Sequence, residues 1–170
     1  NRKNAKYCLQ VDVKKFYASI DKHILVKVLE RTVKDKRVVA VCRKIVLSYP
    51  KCGLPLGYYS SAPFANLYLA ETDDFVKCRS GVKHMVRYMD DIVMLGGNKR
   101  ALHRARGQIE AFLEETRAVT LKHNWQVYKL PYRPRKGQER PPATKERRRF
   151  IDFVGFKFYG YKTTIRASIF

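Results

Sequence analysis

The chain has 170 residues, of which 45% are hydrophobic and 12% aromatic, enough for one domain with a hydrophobic core. Lysine and arginine number 36 against 15 acidic residues, and the formal net charge of +21 favours a polyanionic partner, nucleic acid before membrane. The four cysteines lack metal-ligand spacing, and the absence of a signal peptide or long apolar run argues against a secreted disulfide framework or a membrane span and predicts a cytoplasmic protein.

The first predicted element is a strand over Tyr7–Val13, in which polarity alternates. One face would carry Tyr7, Leu9, Val11 and Val13, and the other Cys8, Gln10 and Asp12. Aspartate is depleted in strands, so the position of Asp12 at a strand end needs a reason. It could cap the following segment or bind a metal ion, and the strand alone leaves both explanations open.

Two packing helices are predicted next. Asp21 is a candidate N-cap for a helix through Ile24, Leu25, Val28 and Leu29. A second helix is predicted over 36–48. Its inward residues would be Val38, Val41, Cys42 and Ile45.

The stretch 53–61 reads Gly-Leu-Pro-Leu-Gly-Tyr-Tyr-Ser-Ser, a loop in which two glycines and a proline let the backbone approach a ligand closely. An ordinary turn has the same composition. Ser60 or Ser61 is expected to cap a helix through Phe64, Leu67, Tyr68 and Phe75.

Asp90 and Asp91 lie at the tip of a predicted hairpin, between the arms 86–88 and 92–95. Adjacent carboxylates repel each other unless a cation neutralises them, although aspartate is also common in plain turns. If Asp12 lies beside this hairpin, the three carboxylates could hold two metal ions about 3.5–4 Å apart, as in phosphoryl transfer.

The C-terminal half continues with a helix from Asn98 or Lys99 through Leu102, Ala105, Ile109, Phe112 and Leu113. The exposed side of this helix would carry Arg100, Arg104 and Arg106. A pair of strands is predicted within 119–127. A basic, proline-containing loop over 131–149 could hold a nucleic-acid backbone or simply be solvated. A strand over 150–159 would then turn at 160–162 into 163–166.

Four short stretches resemble the motifs of reverse transcriptases and occur in that family's order. Asp12–Tyr17 resembles motif A, Gly53–Gly57 with Ser60 and Ser61 motif B, Tyr88–Asp91 motif C, and Phe153–Phe156 motif E. The residues at 54–57 and 64–69 are similar to those of the bacterial type found in diversity-generating retroelements and related stand-alone reverse transcriptases. The resemblance implies one palm domain over 1–170 with the basic insertion at about 131–149, and without fingers or thumb.

The implied fold is α+β, a polymerase palm whose antiparallel sheet has helices packed on one face. The implied function is RNA-directed DNA polymerisation with two Mg²⁺ ions, or Mn²⁺ in their place. Its partners would be an RNA template, a DNA or RNA primer and deoxynucleotide triphosphates. An accessory protein is compatible with this function, and no membrane partner is expected. By resemblance, the catalytic and metal-binding residues are Asp12, Asp90 and Asp91; the nucleotide-binding residues are Val13, Phe16, Tyr17, Leu56, Gly57, Ser61 and Met89; and the primer grip contains Gly155 and Phe156.

Tyr17 occupies the position where the family places an aromatic ring under the incoming sugar, so the resemblance implies exclusion of a 2′-hydroxyl and a DNA product. Lys122 and Lys129 fall in a stretch similar to motif D, where relatives often use lysine as a general acid. Two alternatives remain: a basic nucleic-acid-binding module whose acids are structural, and an RNA-directed RNA polymerase.

Overall fold

A computed structural model of the chain describes residues 5–130, 149–159 and 162–169. Almost all of the predicted basic loop at 131–149 lies outside the described residues. The helices are α1 (Phe16–Ser19), α2 (Lys22–Thr32), α3 (Lys36–Ser48), α4 (Ser61–Tyr68), α5 (Ala70–Arg79) and α6 (Lys99–Arg117). The strands are β1 (Tyr7–Asp12), β2 (His84–Tyr88), β3 (Asp91–Gly96), β4 (Gln126–Lys129), β5 (Ile151–Phe153), β6 (Phe156–Phe158) and β7 (Thr163–Ile165), and a 3₁₀ turn covers Ala167–Ile169.

The main sheet has four strands in the order β2-β3-β1-β4, and the pairings recorded for it are antiparallel. One face of β1 contributes Leu9 and Val11 to a large core shared with the helices, and Val13, directly after the strand, joins them. This arrangement confirms the predicted α+β class and the predicted alternation along β1. Since burial of a branched apolar side chain contributes about 1.5–3 kcal/mol, this face holds β1 firmly against the helices.

The opposite face of β1 is covered as well, which the sequence did not predict. Cys8 packs there with Val93 and Tyr128 in a second, smaller apolar cluster that Ile151 and Phe153 adjoin. These last two residues belong to a three-stranded sheet with the order β5-β6-β7. The small sheet therefore covers one part of the main sheet and leaves its acidic end accessible.

Two helix starts follow from their capping residues. The side chain of Asp21 accepts hydrogen bonds from the backbone N–H groups of His23 and Ile24 at the start of α2, as predicted. The side chain of Asn98 does the same for Arg100 and Ala101 at the start of α6. Ser60 occupies the N-cap position of α4, as predicted, but its side chain forms no capping hydrogen bond.

The orientation of α3 differs from the prediction. Val38, Val41 and Ile45 are 47%, 57% and 43% exposed, respectively, so they do not face inward. Val46 is the buried residue of this helix, and Cys42 is partly buried against the core. Among the described residues, no helix is long and apolar enough to cross a membrane.

Three other predicted elements need correction. The helix predicted through Phe75 is divided into α4 and α5 at Leu69, which has φ −98° and ψ 2°. In the stretch 119–127, Leu121 forms only an isolated bridge to Val13, and β4 begins at Gln126. The strand predicted over 150–159 is broken by a turn at Val154 and Gly155, both with positive φ.

Arg117, in the last turn of α6, is buried and joins this helix to α4 and α5. Its guanidinium donates to the Tyr68 carbonyl at 2.6 Å and to Glu71 Oε2 at 2.6 Å. The Tyr68 hydroxyl in turn donates to the carbonyl of Arg117. Arg106, predicted to be on the exposed side of α6, instead lies over the Trp125 ring, with its guanidinium carbon 4.6 Å from the ring centroid.

Candidate active site

Strand pairing brings the N-terminal aspartate to the paired acids. β1 and β3 are antiparallel, and their register places Asp12 directly opposite Asp91. Directly opposite residues of an antiparallel pair point to the same face, so both side chains lie on the face that does not carry the main core. Next to this pair, the Val13 N–H donates to the Asp90 carbonyl at 3.3 Å. All three predicted carboxylates therefore stand at one end of the sheet.

The turn between β2 and β3 carries Asp90 at its tip. Met89 adopts a left-handed conformation with φ 53°, which is uncommon for a residue with a side chain. Arg87, the inward-facing residue of β2 before the turn, donates from Nη1 to the Met89 carbonyl at 3.0 Å. A side-chain contact thus supports the strained part of the turn.

The electrostatic environment of the turn disfavours negative charge. Burial, followed by the proximity of Asp12, raises the pKa of Asp90 above its ordinary value. Burial raises the pKa of Asp91 to about 6, with further contributions from Asp12, Asp90 and Asp152. Carboxylates that repel each other in this way gain stability from a bound cation.

Lys122 supplies a positive charge to this cluster. Its ammonium contacts Asp12 Oδ2 at 2.5 Å, and this hydrogen bond raises the pKa of the lysine. The contact is supported by the backbone, because the Lys122 N–H donates to the Asp12 carbonyl at 2.7 Å. The stretch resembling motif D is therefore adjacent to motif A.

The other oxygen of the same carboxylate bears on metal binding. Asp12 Oδ1 is buried and has no hydrogen-bond partner. A buried, unpaired carboxylate oxygen is costly without a partner and is a ligand that hard divalent cations prefer. Within the described residues, however, no group of three His, Cys, Asp or Glu side chains is arranged to hold a metal ion. The donor chemistry at Asp12 and Asp90 fits such an ion, whereas a three-carboxylate ligand set is not formed.

Tyr17 lies next to the acidic turn. Its hydroxyl is 4.0 Å from the sulfur of Met89. Burial and the nearby Asp90 carboxylate raise the pKa of Tyr17. The short helix α1 that carries Tyr17 follows Lys15, which has a left-handed φ of 46°, so a sharp change of direction after β1 places this ring near the acids.

The loop after α3 contacts the Tyr17 backbone. Gly53 has φ 75°, and a Cβ atom built on it would lie 2.2 Å from the Tyr17 carbonyl oxygen. The Leu54 N–H donates to that same oxygen at 2.8 Å. Only glycine permits this approach, so residue 53 fixes the loop against motif A. Gly57, with φ 86°, has no atom within 4 Å of its built Cβ.

The predicted nucleotide-binding residues divide into two groups by exposure. The side chains of Val13, Phe16 and Ser61 are each at most 2% exposed and therefore are part of the packed interior. Leu56 is 77% exposed, Gly57 is exposed, and Tyr17 and Met89 are half-buried beside the acids. Only the second group presents side-chain surface, or an open backbone, to a ligand.

A cavity of about 440 Å³ lies between the main sheet and the small sheet. Its lining includes Asp12, Asp91, Trp125, Tyr128 and Asp152. Because Asp152 of the small sheet shares this cavity with Asp12 and Asp91, the small sheet lies next to the acidic end of β1. Of the predicted primer-grip residues, Gly155 with φ 77° lies in the β5–β6 turn, and Phe156, 43% exposed, begins β6.

Two polar residues that join these parts were missed in the sequence. Gln10 donates to the Asp152 carbonyl at 2.8 Å and accepts from the Tyr128 hydroxyl at 2.6 Å, which links β1, β4 and β5. The sequence feature that could have identified Gln10 is a side-chain amide on the same face of β1 as Asp12. Arg87 had a clearer signal, because a charged residue alternating with Met85 on the inward side of a strand requires a buried partner.

The fold and sequence have recognisable relatives. The family model described as reverse transcriptase (RNA-dependent DNA polymerase) matches residues 1–158. The apo telomerase of Candida tropicalis truncated from its C-terminal domain is similar, with TM-score 0.66 and 13% identity, over 94% of this chain and 35% of that chain. The telomerase of Candida albicans in complex with a TWJ fragment of telomeric RNA gives TM-score 0.61 and 14% identity over 96% and 31%.

The chain thus spans about a third of the length of these telomerases. No curated protein matches it significantly. At such low identity the structural likeness establishes the fold, and the family assignment comes from the match over 1–158. This match covers motifs A, B and C and the β5–β6 turn, and the chain belongs to the reverse transcriptase (RNA-dependent DNA polymerase) family.

Proposed function

We propose that the chain is the palm of an RNA-directed DNA polymerase, which adds deoxynucleotides to a primer 3′ end on an RNA template. The observation that carries this proposal is the meeting of Asp12 and Asp90, with one buried Asp12 oxygen left unpartnered. The TWJ fragment of telomeric RNA bound to the Candida albicans telomerase supports an RNA partner for this related fold. The net charge of +21 suits a nucleic-acid partner.

In this proposal Asp12 and Asp90 hold the metal ions, and Asp91 assists them. Bound Mg²⁺ or Mn²⁺ supplies charge stabilisation at the α-phosphate and activates the primer hydroxyl. Tyr17 limits the space beside the nucleotide sugar, the exposed residues Leu56 and Gly57 contact the nucleotide, and Gly155 and Phe156 position the primer end. Catalysis then depends mainly on the placement of these groups, because positioning and charge stabilisation dominate phosphoryl transfer.

A metal titration tests this function. We expect the natural full-length protein to extend a DNA primer on an RNA template only when Mg²⁺ or Mn²⁺ is added, and EDTA to abolish extension. Binding of the same primer–template, measured by fluorescence anisotropy in EDTA, should persist because its phosphates contact basic side chains. Absence of extension with either metal, despite intact binding, would contradict the enzyme proposal.

Binding of the primer–template without extension would favour a non-catalytic, basic nucleic-acid-binding module. The observation in its favour is the ion pair between Lys122 and Asp12, which already neutralises one of the acids. In such a module the acids are structural. Binding would then be indifferent both to Mg²⁺ and to Asp90→Asn.

Substitution of Tyr17 tests the choice of sugar. We expect Tyr17→Ala to lower the ratio of kcat/KM for deoxynucleotides over ribonucleotides by about tenfold or more, because removal of the ring opens space for a 2′-hydroxyl. Single-nucleotide incorporation with each triphosphate measures this ratio. Tyr17→Phe is the matched control, because it keeps the ring and loses only the hydroxyl near Met89. A wild-type protein that accepts ribonucleotides equally would instead indicate an RNA-directed RNA polymerase.

A further inference from the structure

We infer that Arg87 is a positioning residue that fixes the acidic turn to helices α4 and α5. The inference rests on the proposed function and identifies a residue outside the metal and nucleotide positions assigned above. Its role would be to hold the peptide that precedes Asp90 at a fixed distance from the helix that follows the nucleotide loop.

The contacts of Arg87 use three nitrogen atoms of its guanidinium group. Nε and Nη2 donate to the two oxygens of Asp73 at 2.7 and 2.8 Å, a bidentate pair on α5. Nη1 donates to Asn66 Oδ1 on α4 at 3.1 Å and to the Met89 carbonyl at 3.0 Å. The Arg87 side chain is 8% exposed and that of Asp73 27% exposed, so solvent screens this pair little.

The contact with the turn acts on backbone geometry. The Met89 carbonyl and the Asp90 N–H belong to one planar peptide unit. A donor that holds this oxygen therefore fixes the plane from which the Asp90 side chain projects. Met89 itself has φ 53°, a conformation of higher energy for a residue with a side chain, so the turn gains from an external support.

The contacts with the helices connect the turn to the nucleotide loop. α4 begins at Ser61, directly after the loop at 53–60, and carries Asn66. Because one rigid guanidinium contacts α4, α5 and the turn, the acids cannot shift relative to α4 without breaking one of these hydrogen bonds. Lysine would make only some of these contacts, since a single ammonium lacks the planar fork that satisfies a carboxylate in two places.

The test compares Arg87→Met and Arg87→Lys with the wild-type protein in steady-state primer extension. We expect Arg87→Met to lower kcat roughly 10- to 100-fold, the scale of a displacement near 1 Å, while KM for deoxynucleotide changes less than about threefold. The Mg²⁺ concentration for half-maximal rate should rise several-fold, since the ligands are held less well. Arg87→Lys should recover only part of kcat.

Two controls separate positioning from general stability. Ile109→Ala removes buried core volume from α6 at a residue that is not a hydrogen-bond partner of Arg87, and it should lower the melting temperature without changing the Mg²⁺ requirement of the folded enzyme. Arg79→Met removes an exposed arginine from the end of α5 and should change neither quantity. Asp73→Asn should reproduce part of the Arg87→Met effect, because it removes one charged partner from the pair.

The outcomes distinguish this inference from the proposed function. If wild-type protein fails to polymerise with any metal, the proposed function fails. If wild-type protein polymerises and Arg87→Met keeps its kcat and Mg²⁺ requirement, the role of Arg87 is refuted. A Mg²⁺ requirement that shifts equally in Ile109→Ala would likewise refute it, because the effect would then follow stability.

Discussion

Replacement of Asp90 by asparagine is expected to abolish primer extension, with kcat reduced by about 10²–10³-fold or more, while the fold is retained. An amide keeps the size of the carboxylate but removes the charge that would hold a divalent cation. Removal of one group that stabilises transition-state charge typically lowers kcat by about 10²–10³-fold. Single-turnover extension on an RNA template measures the loss. A variant that extends primers at the wild-type rate would contradict the assignment of Asp90.

The same substitution should raise thermal stability when measured in EDTA. The pKa of Asp90 is raised in the folded protein by burial and by Asp12, so ionised Asp90 destabilises the fold at any pH above that raised value. Asparagine carries no charge and removes this repulsion. Asp74→Asn is the matched control on the exposed surface of α5, and it should leave both activity and melting temperature unchanged.

Gly53→Ala is expected to have the second-largest effect. The new Cβ would lie 2.2 Å from the Tyr17 carbonyl oxygen and 2.6 Å from Ala18 Cα, both of them backbone atoms that cannot rotate away. We expect the loop to move away from Tyr17 and to lose the hydrogen bond from Leu54, with a cost of about 1–3 kcal/mol in stability. KM for deoxynucleotide should rise as the loop leaves its position.

Gly57→Ala provides a control within the same loop. Both glycines have positive φ, 75° and 86°, but no atom lies within 4 Å of a Cβ at residue 57. The control therefore carries only the cost of backbone strain, about 1 kcal/mol. Thermal denaturation and nucleotide titration of the two variants measure the difference. Equal effects of both substitutions would mean that contact with Tyr17 does not position the loop.

Local patterns in the sequence predicted the elements that depend on local physics. Asp21 and Asn98 begin helices because their side chains satisfy backbone N–H groups two or three residues ahead. The alternation along β1 placed Asp12 away from the main core, and antiparallel pairing then brought it opposite Asp91. The proximity of Asp12 to the paired acids could be predicted from the sequence because motif order and strand alternation agreed.

The errors have an equally physical origin. In α3 two adjacent stripes are apolar at helical spacing: Val38, Val41 and Ile45 form one, and Val39, Cys42 and Val46 form the other. Periodicity alone cannot decide which stripe faces the core, and the second one does through Cys42 and Val46. The partners of Arg87 lie 14 and 21 residues away, so their contacts required the fold.

The turn at Val154 and Gly155 was missed for a related reason. The apolar run across it continues a strand-like pattern, and the positive φ of 50° at Val154 is unusual for a branched residue. Only pairing of β5 with β6, which joins Phe153 to Phe156, shows that the chain reverses there. The predicted primer-grip residues consequently lie at a turn rather than within a continuous strand.

The outward stripe of α3 has a consequence for the behaviour of the chain in solution. Val38, Val41 and Ile45 expose apolar surface on a molecule whose like charges otherwise keep copies apart. Added salt shortens the range of that repulsion to about 8–10 Å at moderate ionic strength and leaves apolar attraction intact. Colloidal association of this chain should therefore increase as electrolyte is added, whereas the proposed binding of nucleic acid should weaken under the same conditions.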